Sequence, residues 1–370
     1  MKILYLTDQT YLHGGIEKVL SQKANYFADV SNDEVLIITY NQGNNKACYP
    51  ISKKIRCIDL GIDYEEGISY FHLHHLKKMP RHYKELRKAI QKLDPDIIIS
   101  SSFGPDFYFL PYIEKQIPKI KEFHSSRYFY NSYQRNTKAK ILHYLSTFIE
   151  NKYDQLVVLN ESERNFYKSG NVTIIPNAAE ITGERANYSS KKIMAAGRIS
   201  PVKNFGEIIY SFSQLHSEYP EWELHFFGED YLETQKKLQL EIKEYRLQNH
   251  VYFKGSVKDL KKEMQNYSIY AMTSETECFP MVLLESLSVG LPVISYDSPT
   301  GPRHILTDCQ DSFLIPYKNL DIFTEKLRYL MEDENFRERM GAKGLENINY
   351  LSIGKVMRLW KDLFTSLLTP

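Results

Sequence analysis

Short apolar strands alternate with helical segments along this chain, and the alternation starts afresh halfway. Runs that read as buried strands occur at 3–7, 35–39, 55–58, 97–100, 117–123, 155–159 and 172–175. A polar stretch at 180–190 follows. The pattern then resumes at 192–196, 222–227, 251–253, 269–272, 291–295 and 313–315. Strands separated by helices must pair in parallel, with helices covering both faces of the sheet. With 370 residues, two such domains are expected. The expected architecture is two doubly wound, Rossmann-like α/β domains facing a cleft, with 180–190 as the linker.

Composition narrows the functional classes. The formal net charge of +1 argues against a general nucleic-acid binder. Residues 1–180 are mildly basic, with 24 Lys and Arg against 20 Asp and Glu. Cys48, Cys57, Cys278 and Cys309 form no C-x-x-C pair, so neither a disulfide framework nor a zinc site is expected. A reducing cytosol is the simplest setting. The N-terminal apolar run is too short for a signal peptide, and no run reaches the ~18 residues of a membrane span.

The most informative stretch is Thr273 to Ser295. Pro280 suits the first turn of a helix and Gly290 the position after its end, which predicts a helix over 280–289. Glu277 precedes that helix. Glu285 lies inside it among Leu283, Leu284 and Leu287, where a carboxylate needs hydrogen-bond donors such as sugar hydroxyls. The amides of Phe279, Pro280 (which lacks an N–H), Met281 and Val282 span the helix start, where free N–H groups form an anion site. An anion site flanked by two hydroxyl acceptors suits a nucleotide-sugar. By itself the stretch is equally a surface helix with scattered acids. Upstream, Arg198 and Lys203 sit five apart across a strand-to-helix turn, and two cations there would neutralise a departing diphosphate.

The E-x7-E spacing of Glu277 and Glu285, together with Arg198 and Lys203, resembles the signature of the family 4 retaining glycosyltransferases of GT-B fold. The resemblance implies that Glu277 contacts the transferred sugar, that Glu285 holds the nucleotide ribose, and that Arg198 and Lys203 bind the donor phosphates. It implies backbone contact to the base near Gly255. Cys278 stands where the family often has Gly, which would restrict backbone approach. Pro176-Asn177 is similar to a pair at the family's domain hinge. The resemblance also implies that the last helix, from about 353, crosses back to the first domain. The expected domains are therefore 1–180 plus about 353–370, binding the acceptor, and 181–352, binding the donor.

In the first half, Gly14-Gly15 lies between a strand and a helix expected to reach about Val30, which allows close backbone approach to a ligand. It resembles the family's N-terminal glycine loop, near donor phosphate and acceptor. His124 closes the strand expected at 117–123 and corresponds to a His beside the reacting sugar. Asp94-Pro95-Asp96 matches a metal-binding D-x-D pattern, but it precedes a strand, whereas ligands gather at carboxyl ends. It is read as a turn. His72, His74 and His75 are read as surface residues. Residues 69–93 are expected to be helical with a break at Pro80. Lys77, Lys78, Arg81, Lys84, Arg87, Lys88 and Lys92 give this helix a basic face, suited to an anionic membrane surface or equally to solvent.

The expected function is retaining, metal-independent transfer of a hexose or N-acetylhexosamine. The donor would be a nucleotide-sugar, UDP-linked by the resemblance of Ser298 to Pro302 to enzymes of bacterial surface polysaccharide assembly. The acceptor would be a saccharide, lipid-linked at the inner face of the cytoplasmic membrane. The protein would be cytoplasmic or peripheral there, with Glu277, His124, Arg198 and Lys203 as its catalytic group. It would need no cofactor, no metal and no nucleic acid. Two rival readings are a UDP-sugar epimerase of the same architecture, needing no acceptor, and a non-catalytic nucleotide-sugar binder.

Overall fold

The computed structural model describes residues 1–65, 67–102, 104–128 and 137–369, with 137–142 described by backbone alone. The chain divides into two units. The first comprises Met1–His124, Tyr130–Pro176 and Val356–Pro370; the second comprises Ser125–Phe129 and Asn177–Lys355. The segment 125–129, placed in the first half by sequence order, thus groups with the second unit.

In the first unit, seven strands form one parallel sheet: β1 (Lys2–Leu6), β2 (Glu34–Thr39), β3 (Arg56–Asp59), β4 (Ile97–Ser100), β5 (Lys119–Glu122), β6 (Gln155–Val158) and β7 (Val172–Ile174). Their order is β3-β2-β1-β4-β5-β6-β7. In the second unit, β8 (Lys192–Ala196), β9 (Glu223–Phe227), β10 (Val251–Gly255), β11 (Ile269–Met272), β12 (Val293–Tyr296) and β13 (Ser312–Ile315) are ordered β10-β9-β8-β11-β12-β13. Each order reverses beside the unit's first strand, which makes both units doubly wound. Residues such as Ile3, Ile37, Ile98 and Ile99, or Ile193, Leu224 and Ile294, are fully buried on both faces, as parallel sheets require.

Several helices differ from the sequence pattern. Helix α1 (Gly15–Asn25) continues to Val30 as a wider π turn. The expected interruption of the 69–93 run falls at residues 77 and 78, just ahead of Pro80; α2 (Met79–Leu93) then begins with Pro80 in its first turn, where its missing N–H is harmless. A separate short helix covers Leu73–Leu76. The reading of the three histidines as surface residues fails at His75, which is 0% exposed and accepts the Glu65 N–H at 3.1 Å. In α2, His82, Leu86, Ile90 and Leu93 face the core. The second unit contributes α3 (Phe205–Leu215), α4 (Met281–Ser288), α5 (Leu320–Glu332) and α6 (Glu334–Asn347). Fully buried Arg337 ties these last two together. It donates to the carbonyls of Leu330 and Met331 at the end of α5 and to Tyr188 in the linker.

The final helix, α7 (Ile353–Leu368), packs on the first unit from Val356 onward. Its apolar stripe (Val356, Met357, Trp360, Leu363, Phe364) is buried, and Phe364 lies 5.4 Å from Phe27. The ring of Trp360 lies 3.9 Å from the Lys23 ammonium. Lys23 is 1% exposed and donates to both oxygens of Glu122 in β5, each at 2.6 Å. Burial alone would raise the Glu122 carboxyl, but Lys23 and then His124 outweigh it and hold it well below its usual 4.5. Burial lowers the Lys23 ammonium, an effect that Glu122 only partly offsets.

Trp360→Ala should therefore cost about 3–5 kcal/mol in urea unfolding, since it empties a filled core site and uncovers the pair. The lowered Glu122 value sets the pH sign. Its stabilisation is present above 4.5 and is lost as pH falls through the lowered value. Acid unfolding of the natural protein should accordingly be steeper than that of Lys23→Met/Glu122→Leu, measured by circular dichroism.

Candidate functional site

In the second unit, the carboxyl ends of β8 to β12 collect the expected residues. Gly197, Gly228 and Gly255 end β8, β9 and β10 with φ of +141°, +140° and +69°. A Cβ on Gly228 would lie 2.0 Å from the Gly197 carbonyl, so these two turns touch backbone to backbone. The side chain of Lys203 folds over Gly197, whose absent Cβ leaves its path open. Nζ of Lys203 reaches Glu277 Oε1 at 2.6 Å, with the two side chains 20% and 13% exposed. Arg198 is exposed and lies 5.1 Å over the Tyr231 ring.

The loop that carries Glu277 is held from several sides. Thr273 donates to the Asn204 carbonyl at 2.8 Å, and the Glu275 N–H to Val202 at 2.7 Å. The Thr300 hydroxyl donates to the Glu277 carbonyl at 2.7 Å. Beneath the pair, Tyr270 donates to the Ala196 carbonyl at 3.1 Å and thereby bridges β11 and β8. Burial, then the Glu277 charge, raises its phenol far above 10.0.

Pro280 is the N-cap of α4 rather than its first turn, and it has no side-chain oxygen to cap the helix. The first-turn amides at Met281 and Val282 are thus uncapped by the Pro280 side chain and carry the positive end of the helix dipole. The Phe279 carbonyl accepts from Asn177 at 3.2 Å. Glu285, 8% exposed, lies in α4 as the leucine pattern indicates. Cys278 is buried and has no positive φ, so its backbone conformation is open to any residue and does not require Gly.

In the first unit, Gly14 caps α1 and Gly15 begins it. Only Gly14 has a steric reason: a Cβ there would lie 2.0 Å from Glu17 Oε2. Glu17 folds back over the loop and accepts from Gln9 at 2.6 Å. Burial raises the Glu17 carboxyl, while Gln9 and, more weakly, His124 lower it. His124 stands two residues beyond the end of β5, after Phe123, and its Nε2 lies 3.4 Å from Glu122 Oε1. A cavity of about 520 Å³ opens at the end of β1, lined by residues including Asp8, Gln9, Tyr11, Asn41, Glu65 and Tyr70, with no Lys or Arg among them. Asp8 accepts from Tyr40 and Tyr70, at 2.5 and 3.1 Å. Asp94 and Asp96 lie at the opposite, amino end: Asp96 accepts the Lys2 N–H that starts β1, at 2.6 Å.

Of the predicted residues, Lys203 and Glu277 touch. Arg198, Gly255, Phe279, Pro280, Met281, Val282 and Glu285 stand on the same unit at strand ends or on α4, and Gly14, Gly15 and His124 on the other. Sequence reasoning misses Thr300, Tyr231, Glu17 and the Asp8 cavity. The GGIEK run, with a carboxylate at the third helical position, is the available signal for Glu17.

Two family models match the chain: "Glycosyltransferase Family 4" over residues 13–182 and "Glycosyl transferases group 1" over residues 178–347. The amylovoran biosynthesis glycosyltransferase AmsD of Erwinia amylovora is 23% identical, covering 98% of this chain and 99% of its own. The Campylobacter jejuni α-1,4-N-acetyl-D-galactosaminyltransferase, named for a diNAcBac-PP-undecaprenol-linked acceptor, is 24% identical over 98% of each chain. The fold is that of a TarM variant from S. aureus solved with UDP, at a TM-score of 0.80, 15% identity, and coverage of 98% and 99%.

Gly301 supports the Glu277 loop sterically. A Cβ there would lie 2.7 Å from Glu277 Cβ and 2.9 Å from its carbonyl oxygen. Gly301→Ala should displace the loop and leave the sheet intact. The expected result is faster amide hydrogen exchange across residues 274–279 and unchanged exchange in β8 and β11.

Proposed function

The chain belongs to the family 4 glycosyltransferases, of GT-B fold, and from that premise we propose that it is a retaining, metal-independent enzyme. It moves a hexose or N-acetylhexosamine from a UDP-linked donor to a saccharide, lipid-linked, in bacterial surface polysaccharide synthesis. The observation that carries this is the Lys203–Glu277 pair beside the start of α4. It juxtaposes an anion-binding cation with a hydroxyl-binding carboxylate, as a sugar diphosphate requires.

Before the donor arrives, these two groups satisfy one another. The donor diphosphate takes over Lys203, joined by Arg198 and the Met281 and Val282 amides, and a sugar hydroxyl takes Glu277. Glu285 holds the ribose and backbone near Gly255 meets the base. The bond from the anomeric carbon to the diphosphate oxygen breaks, and the acceptor oxygen bonds to that carbon on the same face. The acceptor hydroxyl proton passes to the leaving phosphate. Positive charge from Arg198, Lys203 and the helix start stabilises that leaving group.

Gly14, Gly15 and His124 are assigned to the acceptor side. The cavity at Asp8, rich in hydrogen-bond acceptors and with no Lys or Arg among its described lining residues, favours an uncharged sugar as the group held there. The names of the Erwinia and Campylobacter relatives support polysaccharide assembly and a lipid-linked acceptor. Family matches in both halves favour transfer over epimerisation. No helix among the described residues is long and apolar enough to cross a membrane. The apolar face of α2 is consumed by the core, so attraction to an anionic membrane would rest on charge alone, through Arg81, Lys84, Arg87, Lys88 and Lys92. Vesicles with and without anionic lipid at low salt test that part.

Without metal, UDP-sugars should raise the melting midpoint, by up to about 2.7 kcal/mol of added stability at a hundredfold excess over Kd. GDP- and ADP-sugars should not, and Arg198→Ala should abolish the shift. No shift with any nucleotide would overturn the donor assignment. Glu277→Ala should lower kcat about a hundredfold or more, and EDTA should leave turnover unchanged.

A further inference from the structure

A buried line of contacts in the first unit runs from α7 to His124. Trp360 and Tyr5 face the Lys23 ammonium at 3.9 and 5.4 Å. Lys23 donates to both oxygens of Glu122 at 2.6 Å. The hydroxyl of Ser101, at the end of β4, donates to Oε2 at 3.2 Å, and His124 Nε2 faces Oε1 at 3.4 Å. An ionised carboxyl offers about four acceptor sites; three hydrogen bonds occupy this one, and the His124 ring lies against the remaining side of Oε1. The carboxylate has no freedom left to turn.

As a stabilising device this arrangement is poor. Replacing a buried ion pair by apolar side chains of similar volume is often neutral or favourable. Something other than stability has to explain a Lys and a Glu in the middle of a sheet. We propose that Glu122 is a positioning residue for His124, with Lys23, seated on Trp360, as the counter-ion that keeps it fixed. The inference rests on the reading of His124 as a substrate-facing residue.

The chemistry is that of a carboxylate orienting an imidazole. In the neutral ring one nitrogen donates and the other accepts, and the partner of the first selects the tautomer. Because Nε2 is the nitrogen that faces the Glu122 carboxylate, the Nε2–H tautomer is favoured, and Nδ1 is left as an acceptor for a substrate hydroxyl. Three separate elements set this geometry: β5 supplies Glu122, α1 supplies Lys23 and α7 supplies Trp360. His124 is thereby aimed by groups that never touch substrate. Glu17, which feels the His124 charge, is engaged by Gln9 instead.

The test is ring-¹⁵N NMR of the histidine-labelled protein, paired with kinetics. The natural protein should show His124 predominantly as the Nε2–H tautomer when neutral; a predominantly Nδ1–H ring overturns the proposal without any variant. Glu122→Gln alone would strand a buried ammonium, so the informative variant is Lys23→Met/Glu122→Gln, which removes both charges. A mixed tautomer is expected, with kcat reduced about 10–100-fold and the donor KM within about twofold. A lower melting midpoint with tautomer and kcat unchanged would make the pair purely structural and overturn the proposal. If the natural protein transfers no sugar at all, the proposed function falls, while the tautomer measurement still decides the positioning role.

Discussion

Both units depend on one topological constraint, the reversal of strand order beside their first strands. Loops leaving β1 and β4, or β8 and β11, turn to opposite faces of their sheet and leave a crevice at the carboxyl ends. Gly14 and Gly15, Arg198 and Lys203, and Glu277 and Glu285 lie on such loops or on the helices that follow them, while His124 and Gly255 stand at the carboxyl ends of neighbouring strands. The strands contribute rigidity, and Tyr270 shows how: its phenol, anchored on β8, lies under the loop that presents Glu277. The loops then need only small corrections, which Thr300, Gly301 and the glycine turns at 197 and 228 supply.

What is legible in the sequence follows the range of the interactions. Strand alternation, the restart after residue 190, and the Pro280–Gly290 brackets of α4 are local, and they appear in the fold within a residue or two. Pro80 announces the interruption of the 69–93 run, but not its exact place: the proline sits in the first turn of α2 because the break comes just before it. His75 looks like a surface residue because its polar neighbours are exposed; its burial arises from the aromatic cluster with Tyr64 and Tyr70. The Lys203–Glu277 contact joins residues 74 apart, and spacing alone cannot announce it.

The KIKE strand is the sharpest case. Lys119, Lys121 and Glu122 are almost wholly buried in β5, against any hydropathy rule. Each finds polar partners, Lys119 from the turn just before its own strand and Lys121 and Glu122 from distant segments. Lys119 donates to the Glu114 and Ile117 carbonyls, at 2.8 and 2.6 Å, and Lys121 to carbonyls at the end of β4. Burial lowers both ammonium groups to about 8. Charge is tolerated there because backbone oxygens at the strand ends replace water.

The discontinuity of the first unit has a consequence for biosynthesis. Its core is finished by Trp360 and Phe364, which leave the ribosome after the entire second unit. Until then Lys23 and Glu122 have no aromatic cover from α7, and the β1–β7 sheet is a nascent intermediate with one helix missing. The second unit, drawn almost wholly from residues 177–355, can complete its core first. Order of translation and order of completion are therefore opposite in this chain, and truncation from the C-terminus harms the N-terminal half before the part it removes residues beside.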